Sequence, residues 1–197
     1  MAIASKLLTY EEWLQMPTVE DGTDEVVKGE LRFMPPTRQP HAEIISRLVN
    51  RLALQLSESK ALILGSNFGL LISREPLTCR SPDMGIYWRE TMVVNDGLNC
   101  SAPDLIIEVL SPSENRRRKE EKMGDYESIG VPEVWIVSPE MESVEVRILS
   151  SGKLERAAIQ VDGQLMPTRF PGVSVEVKSI WPEPKPEPAA APAPETK

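Results

Sequence analysis

Three charged residues stand where their surroundings are apolar, and their types match one kind of chemistry. Asp83 follows Arg80-Ser81-Pro82 and directly precedes Met84-Gly85-Ile86-Tyr87-Trp88, so it sits at the mouth of a strand whose approach Pro82 fixes. Glu108 lies inside Leu105-Ile106-Ile107-Glu108-Val109-Leu110. Alternation sends Leu105, Ile107 and Val109 to one face of that strand and Ile106, Glu108 and Leu110 to the other. A lone carboxylate between aliphatic neighbours is costly unless something pairs with it. Lys122 belongs to the helical stretch that follows, on an i, i+4, i+7 stripe with Tyr126 and Ile129 that should face the sheet. Tyr126 is expected in the core with its hydroxyl at the rim. Two opposite charges thus point into one apolar interior. If the strands of Asp83 and Glu108 pair, their carboxylates can share a divalent cation, and oxygen donors of this kind select Mg²⁺ or Mn²⁺. Such an ion polarises a phosphoryl oxygen and lowers the pKa of a bound water, while a nearby Lys orients that water or steadies developing charge. On the residues alone two structural readings stay open. Pro-Asp is ordinary turn chemistry, and Glu108 with Lys122 can be a buried ion pair with no reaction attached.

Other chemistries are removed by elimination. His41 is the one histidine, so zinc sites built on several His are excluded, and Cys79 and Cys100 stand far apart without C-x-x-C. A Ser-His-Asp hydrolase would have to use His41, yet no G-x-S-x-G elbow occurs. Neither G-x-x-x-x-G-K-[ST] nor G-x-G-x-x-G occurs, which removes the commonest nucleotide-binding loops. A net charge of −8 argues against coating nucleic acid by bulk attraction, though it leaves room for a local basic site. The run Arg116-Arg117-Arg118-Lys119 is such a concentration, and a solvated face is its commonest explanation.

The elements that would position these groups are legible in part. Thr9-Tyr10-Glu11-Glu12 has the form of a capping box opening a short helix that Pro17 stops. After the acidic loop at Glu20-Asp21-Gly22, Lys28-Gly29 turns a hairpin between Glu25-Val27 and Leu31-Met34, and Pro35-Pro36 ends it. A long helix is predicted over 41–56 from the stripe Ile44, Ile45, Leu48, Val49, Leu52 and Leu56. Short strands follow at 62–64 and 68–73, and residues 89–102 read as a polar connection. Ser111-Pro112 turns the chain after the Glu108 strand, and Ser113 is the expected N-cap of the Lys122 helix. A strand at 134–137 completes a βαβ unit, and strands at 144–149 and 154–161 pair antiparallel. The expected fold is α/β or α+β, with one mixed sheet flanked by helices. A length of 197 residues fits one domain, taken as residues 1–181. Residues 182–197, rich in Pro and Ala, read as an extended tail outside the fold. No apolar run approaches a membrane span. The start lacks a basic region followed by an apolar one, so the expectation is a cytoplasmic protein with free thiols.

At this point the residues carry a resemblance. Pro82-Asp83 followed by Glu108-Val109-Leu110 resembles the PD-(D/E)XK nuclease core, with its Lys moved onto the neighbouring helix as Lys122. More narrowly, the chain resembles a large bacterial family of uncharacterised restriction-endonuclease-like proteins. The matching stretches are 25–31, Pro36 through His41, Ser81-Pro82-Asp83, 103–113, Lys122 through Tyr126 and 130–137. The family usually has Tyr where Val134 stands and Asp where Ser138 stands; neither position belongs to the metal motif. The resemblance implies a restriction-endonuclease-like fold and Mg-dependent hydrolysis of DNA phosphodiesters. In it Asp83 and Glu108 bind the metal and Lys122 serves the attacking water. Glu25 and His41 match positions near the site, Glu25 as an outer carboxylate that orients the cluster. On the residues alone Glu25 reads as a strand-edge charge and His41 as a cap or packing residue. The acidic chain would then act as a homodimer sharing a groove, or with a partner that delivers DNA. The competing reading is a catalytically silent interaction module on the same fold, and a third is a hydrolase for small phosphate esters.

Overall fold

Turn chemistry and alternation account for most of the elements in the computed structural model, which describes residues 6–17, 23–34, 36, 39–65, 68–111 and 116–183. The Glu20–Gly22 loop, Pro35, the turn at Pro112, the Ser113 cap and residues 184–197 lie outside these. Helix α1 (Tyr10–Leu14) opens on the expected box, with Thr9 Oγ1 accepting the Glu12 N–H at 3.2 Å and the Glu12 carboxylate accepting the Thr9 N–H at 3.1 Å. Strands β1 (Thr23–Val27) and β2 (Glu30–Met34) form the predicted hairpin, and Glu25 faces Arg32 across it. Lys28 and Gly29 both take positive φ (53° and 80°), the backbone of a two-residue hairpin turn. Gly29 has a second constraint, because a Cβ there would meet Leu7 Cβ at 2.8 Å.

Helix α2 (His41–Ala53) buries Ile44, Ile45, Leu48 and Leu52, and ends short of the expected 56, with Leu56 packing on the core beyond it. Strands β3 (Ala61–Leu64), β4 (Leu70–Arg74), β5 (Leu77–Arg80) and β6 (Met84–Trp88) follow. The stretch read as a polar connection contains β7 (Val94–Asn95) and β8 (Leu98–Asn99), joined by an Asp96-Gly97 turn with φ of 50° and 79°. Then come β9 (Leu105–Val109), α3 (Arg116–Ser128), β10 (Glu133–Ser138), β11 (Ser143–Ser150) and β12 (Lys153–Gln160). Short strands β13 (Gln164–Leu165) and β14 (Val175–Glu176) pair with each other before a 3₁₀ turn at Val177–Ile180.

The described strands form two six-stranded sheets rather than the single one expected, in the orders β2-β1-β5-β4-β8-β7 and β12-β11-β10-β9-β6-β3. The second contains the βαβ unit, since β9 and β10 run parallel with α3 as their crossover. Its two faces follow the alternation of β9. Leu105, Ile107 and Val109 pack under α2 with Trp135 and Val137. Ile106 packs on the other side with Met123, Tyr126 and Val134, beneath α3. Each such aliphatic side chain taken fully from water stabilises the fold by roughly 1.5–3 kcal/mol.

The connection that matters for the site is short. Arg80 is the last residue of β5, in the first sheet, and Met84 the first of β6, in the second. Ser81-Pro82-Asp83 alone carries the chain across. Helix α3 touches both sheets, through β4 in one and β12 in the other. No helix among the described residues is long and apolar enough to cross a membrane. Both cysteines are free, and burial pushes the Cys79 thiol up to about 12, so it stays protonated and inert.

Candidate active site

Register brings Asp83 and Glu108 level. Strands β6 and β9 pair antiparallel with Met84 opposite Ile107, so the next residue outward on each strand is Asp83 and Glu108. Asp83 turns toward β9, and its Oδ2 accepts the Val109 N–H at 2.8 Å. It is therefore no free turn residue. Glu108 is 4% exposed, and two donors reach it from one face of α3. Lys122 Nζ lies 3.0 Å from Oε2, and the Tyr126 hydroxyl donates to Oε1. Tyr126 is fully buried, so the expectation of a hydroxyl at the rim gives way to one spent on the carboxylate. Burial, with the charges of Glu108 and Glu25, raises its pKa well above the ordinary phenol value, which keeps it a donor.

His41, the first residue of α2, places Nε2 3.2 Å from Asp83 Oδ2. Burial alone would lower the imidazole pKa; the hydrogen bond and charge of Asp83, and the charge of Glu108, outweigh it and raise the value.

Glu25 is 3% exposed, so the strand-edge reading fails. Its Oε1 accepts the Ser81 N–H at 3.2 Å and stands 3.9 Å from Lys122 Nζ, while Oε2 meets Arg80 Nη1 at 2.9 Å. Arg80 has no role in the sequence reading, yet it is 2% exposed at the centre of this cluster. Its Nε donates to Asp125 at 2.8 Å, and Nη2 stands 3.5 Å from Glu121. Asp125 and Glu121 flank Lys122 on α3, so one guanidinium ties the β1–β2 hairpin to the helix that carries the Lys. Burial would lower the Arg80 pKa, but Glu25 and Asp125 raise it further above its ordinary range. Leu77-Thr78-Cys79-Arg80 alternates apolar and polar residues, which puts Arg80 on the polar face, whereas all four residues of the strand are buried.

A small open cleft of about 80 Å³ borders the cluster. Arg32, Met34, Arg80, Arg118 and Lys122 line it, with Glu25 and Ser111. Among the described residues no group of three or more His, Cys, Asp or Glu side chains is placed to hold an ion. Asp83 and Glu108 supply two carboxylates, the number of protein carboxylates that Mg²⁺ commonly takes while keeping several of its waters. A closed all-protein cage, as Ca²⁺ favours, does not fit.

The family described as "Uma2: Putative restriction endonuclease" matches the chain over residues 10–178. The chain belongs to the Uma2 family. Its fold is that of a crystal structure described as "a putative nuclease belonging to DUF820 from Anabaena variabilis", with a TM-score of 0.72, over 88% of this chain and 97% of that one. The sequences are 17% identical, so the likeness is one of fold. No curated protein matches the chain in sequence. The resemblance to the PD-(D/E)XK group and the restriction-endonuclease-like α+β fold are thereby borne out. The Uma2 match covers all five residues singled out from the sequence. Two sets of contacts hold them: His41 with Asp83, and Glu108 with Lys122, Tyr126, Glu25 and Arg80, the first reaching β9 through the Val109 N–H.

Proposed function

We propose that this Uma2 protein is a metal-dependent DNA endonuclease. Asp83 and Glu108 would hold Mg²⁺ or Mn²⁺, and Lys122 serves the attacking water. The observation that supports the reading is that Asp83 and Glu108 follow the register pair Met84–Ile107 on neighbouring strands, with the Lys122 ammonium 3.0 Å from Glu108 beside an open cleft. A divalent ion supplies Lewis acidity toward a phosphoryl oxygen and water. The chain's residues do the rest by orientation. His41 and the Val109 N–H fix the Asp83 carboxylate, and Tyr126 and Lys122 fix that of Glu108. Lys122 also faces the cleft, where an ammonium can align a water and meet charge that develops on a phosphate. Glu25 and Arg80 do not reach Asp83; they set the position of Lys122.

One observation favours a catalytically silent interaction module instead. Both oxygens of Glu108 already have donors, so the pair with Lys122 is complete without an ion. Titration of Mg²⁺ or Mn²⁺ with plasmid DNA separates the readings. Under the endonuclease reading the wild type nicks the plasmid only with metal, and Asp83→Ala and Glu108→Ala each abolish nicking. Metal-independent behaviour of all three proteins rejects it. A net charge of −8 opposes tight DNA binding by one chain, so the active species is a homodimer with a shared groove, or one to which a partner brings DNA.

A further inference from the structure

Among the described residues the two large sheets end on β2, β7, β12 and β3. A sheet edge offers main-chain N–H and C=O groups to any strand that approaches, and proteins blunt such edges by shortness, bulges or charge. β7 is two residues long, and the side chains of β3 are buried or half-buried. β12 carries Lys153, Glu155 and Arg156, and its pairing with β11 shifts register at Val146 and Arg147. β2 is less protected. It pairs with β1 in unbroken register, and on one face Leu31 and Phe33 are 45% and 57% exposed. Its charged residues, Glu30 and Arg32, lie on the opposite face, where Glu121 holds Arg32. α1 is tied to the Leu31 face, because Trp13 Nε1 donates at 3.3 Å to Asp24, the residue opposite Phe33, and Leu14 at the end of that helix is exposed as well.

The hairpin turn decides which main-chain groups look outward. In a two-residue hairpin the pair that closes the turn is hydrogen-bonded, and bonded pairs alternate along the ladder. Val27–Glu30 and Glu25–Arg32 are therefore the bonded pairs, and Leu31 and Phe33 direct their N–H and C=O groups away from β1. Val26, opposite Leu31, agrees, since its own outward side pairs with Cys79 of β5. Two copies of β2 laid antiparallel use these groups fully in one register. With Arg32 at the twofold axis, Leu31 of each copy stands opposite Phe33 of the other, and each such pair exchanges both its main-chain bonds. A centre on Leu31 would set Phe33 against Gly29, whose N–H is given to Leu77 and whose C=O is taken by Leu8. A centre on Phe33 would set Leu31 against Pro35, which has no N–H. The Arg32 register also covers Leu31 with Phe33 twice. It sets Glu30 diagonal to Arg32 of the other copy, within reach of long side chains. The two arginines that meet at the axis each bring a counter-charge, Glu121 at 2.6 Å.

We propose that β2 is the interface of a homodimer, each copy extending the other's sheet through the same strand. The two six-stranded sheets then run on as one, and the clefts, which Arg32, Phe33 and Met34 border, meet at the axis. The interface itself stands on the strand edge. Only its consequence, one DNA groove shared by two sites, rests on the nuclease reading.

Sedimentation velocity of the full-length protein over a range of concentrations should show a dimer that dissociates on dilution. Leu31→Lys and Phe33→Lys each put a charge on the edge, and should run as monomers where the wild type is a dimer. Ile159→Lys, at an exposed position of β12, should leave the dimer intact. A melting curve for each variant reports folding, which exposed positions on β2 should preserve. Cysteine cross-linking in a Cys100→Ser background reads the register, since Cys79 is buried. Arg32→Cys sets two thiols across a pair without main-chain bonds, about 4.5 Å between Cα atoms, and should oxidise to a covalent dimer. Leu31→Cys, two positions out of step with its copy, should not. A wild type that stays monomeric at every concentration overturns the proposal and leaves this edge to a different protein. A dimer that survives both lysine variants overturns it too, as does cross-linking through Leu31→Cys in place of Arg32→Cys. The nuclease reading fails separately: a dimer without metal-dependent nicking removes that reading alone, and nicking by a monomer removes the interface alone.

Discussion

Glu108 draws both its donors from one helix, an ammonium at Lys122 and a phenol at Tyr126. Each spends a hydrogen bond that water cannot replace inside β9. Tyr126→Phe should therefore cost about 1–3 kcal/mol, the penalty for leaving a buried acceptor short of a donor. Urea unfolding measures it, and an unchanged midpoint would show that Glu108 rehydrates. Lys122→Met should cost more, about 3–5 kcal/mol, because it strands a buried charge. Pairing Lys122→Met with Glu108→Gln should recover part of that loss, as expected for residues in direct contact. That Lys122 and Tyr126 face β9 was legible in the sequence because their placement is local, though the Tyr126 hydroxyl was expected at the rim. Strand alternation fixes the face of Glu108, and helical periodicity brings Lys122 and Tyr126 to it across a single crossover. The double occupancy of Glu108 was not legible, since it depends on how far β9 sinks below α3.

The elements that complete the site come from distant parts of the chain. The Arg80–Asp83 link leaves one sheet and enters the other, with a site residue at each end. Arg80 then binds Glu25 from the hairpin and Asp125 from α3. Arg80→Met should destabilise by about 3–5 kcal/mol because two carboxylates lose their buried partner. For a chain of this size that is about 2–4 °C of melting temperature for each kcal/mol, readable by calorimetry. Sequence reading recovered the hairpin, α2, the βαβ unit and the last long hairpin, all of which announce themselves by period or turn residues. It missed β5, whose four residues are all buried, and β7 and β8, which are two residues long. Two residues are too few for alternation, and the four of β5, Leu77-Thr78-Cys79-Arg80, alternate but are short enough to be passed over. The division into two sheets was hidden for the same reason, since β5 is the strand that joins the hairpin to β4.

Across the molecule, acid should act through carboxylates held by arginines and main-chain donors. Hydrogen bonding to Arg147 holds the Glu120 carboxyl below its ordinary 4.5, and hydrogen bonding to Arg32 does so for Glu121. Burial would raise Glu127, but the Leu154 N–H and Lys153 outweigh it and lower the value. In Glu145 burial is likewise outweighed, by Arg147. Depressed folded-state values stabilise the fold above the unfolded value and lose that contribution as pH falls through the folded ones. The contribution of these carboxylates should therefore be constant near neutrality and decline below pH 4.5. Urea midpoints at about pH 6 and about pH 3 should show the decline in the wild type, and a smaller one in Arg147→Met, whose carboxylates have less to lose.

Arg80 and Glu25 hang from one sheet and Glu108 from the other, with Asp83 in the link that enters the second. Neither half of the molecule owns the cluster; it is a joint, and it exists only while the halves are docked. Warming that parts the seam would scatter these charges before either layer of strands has melted.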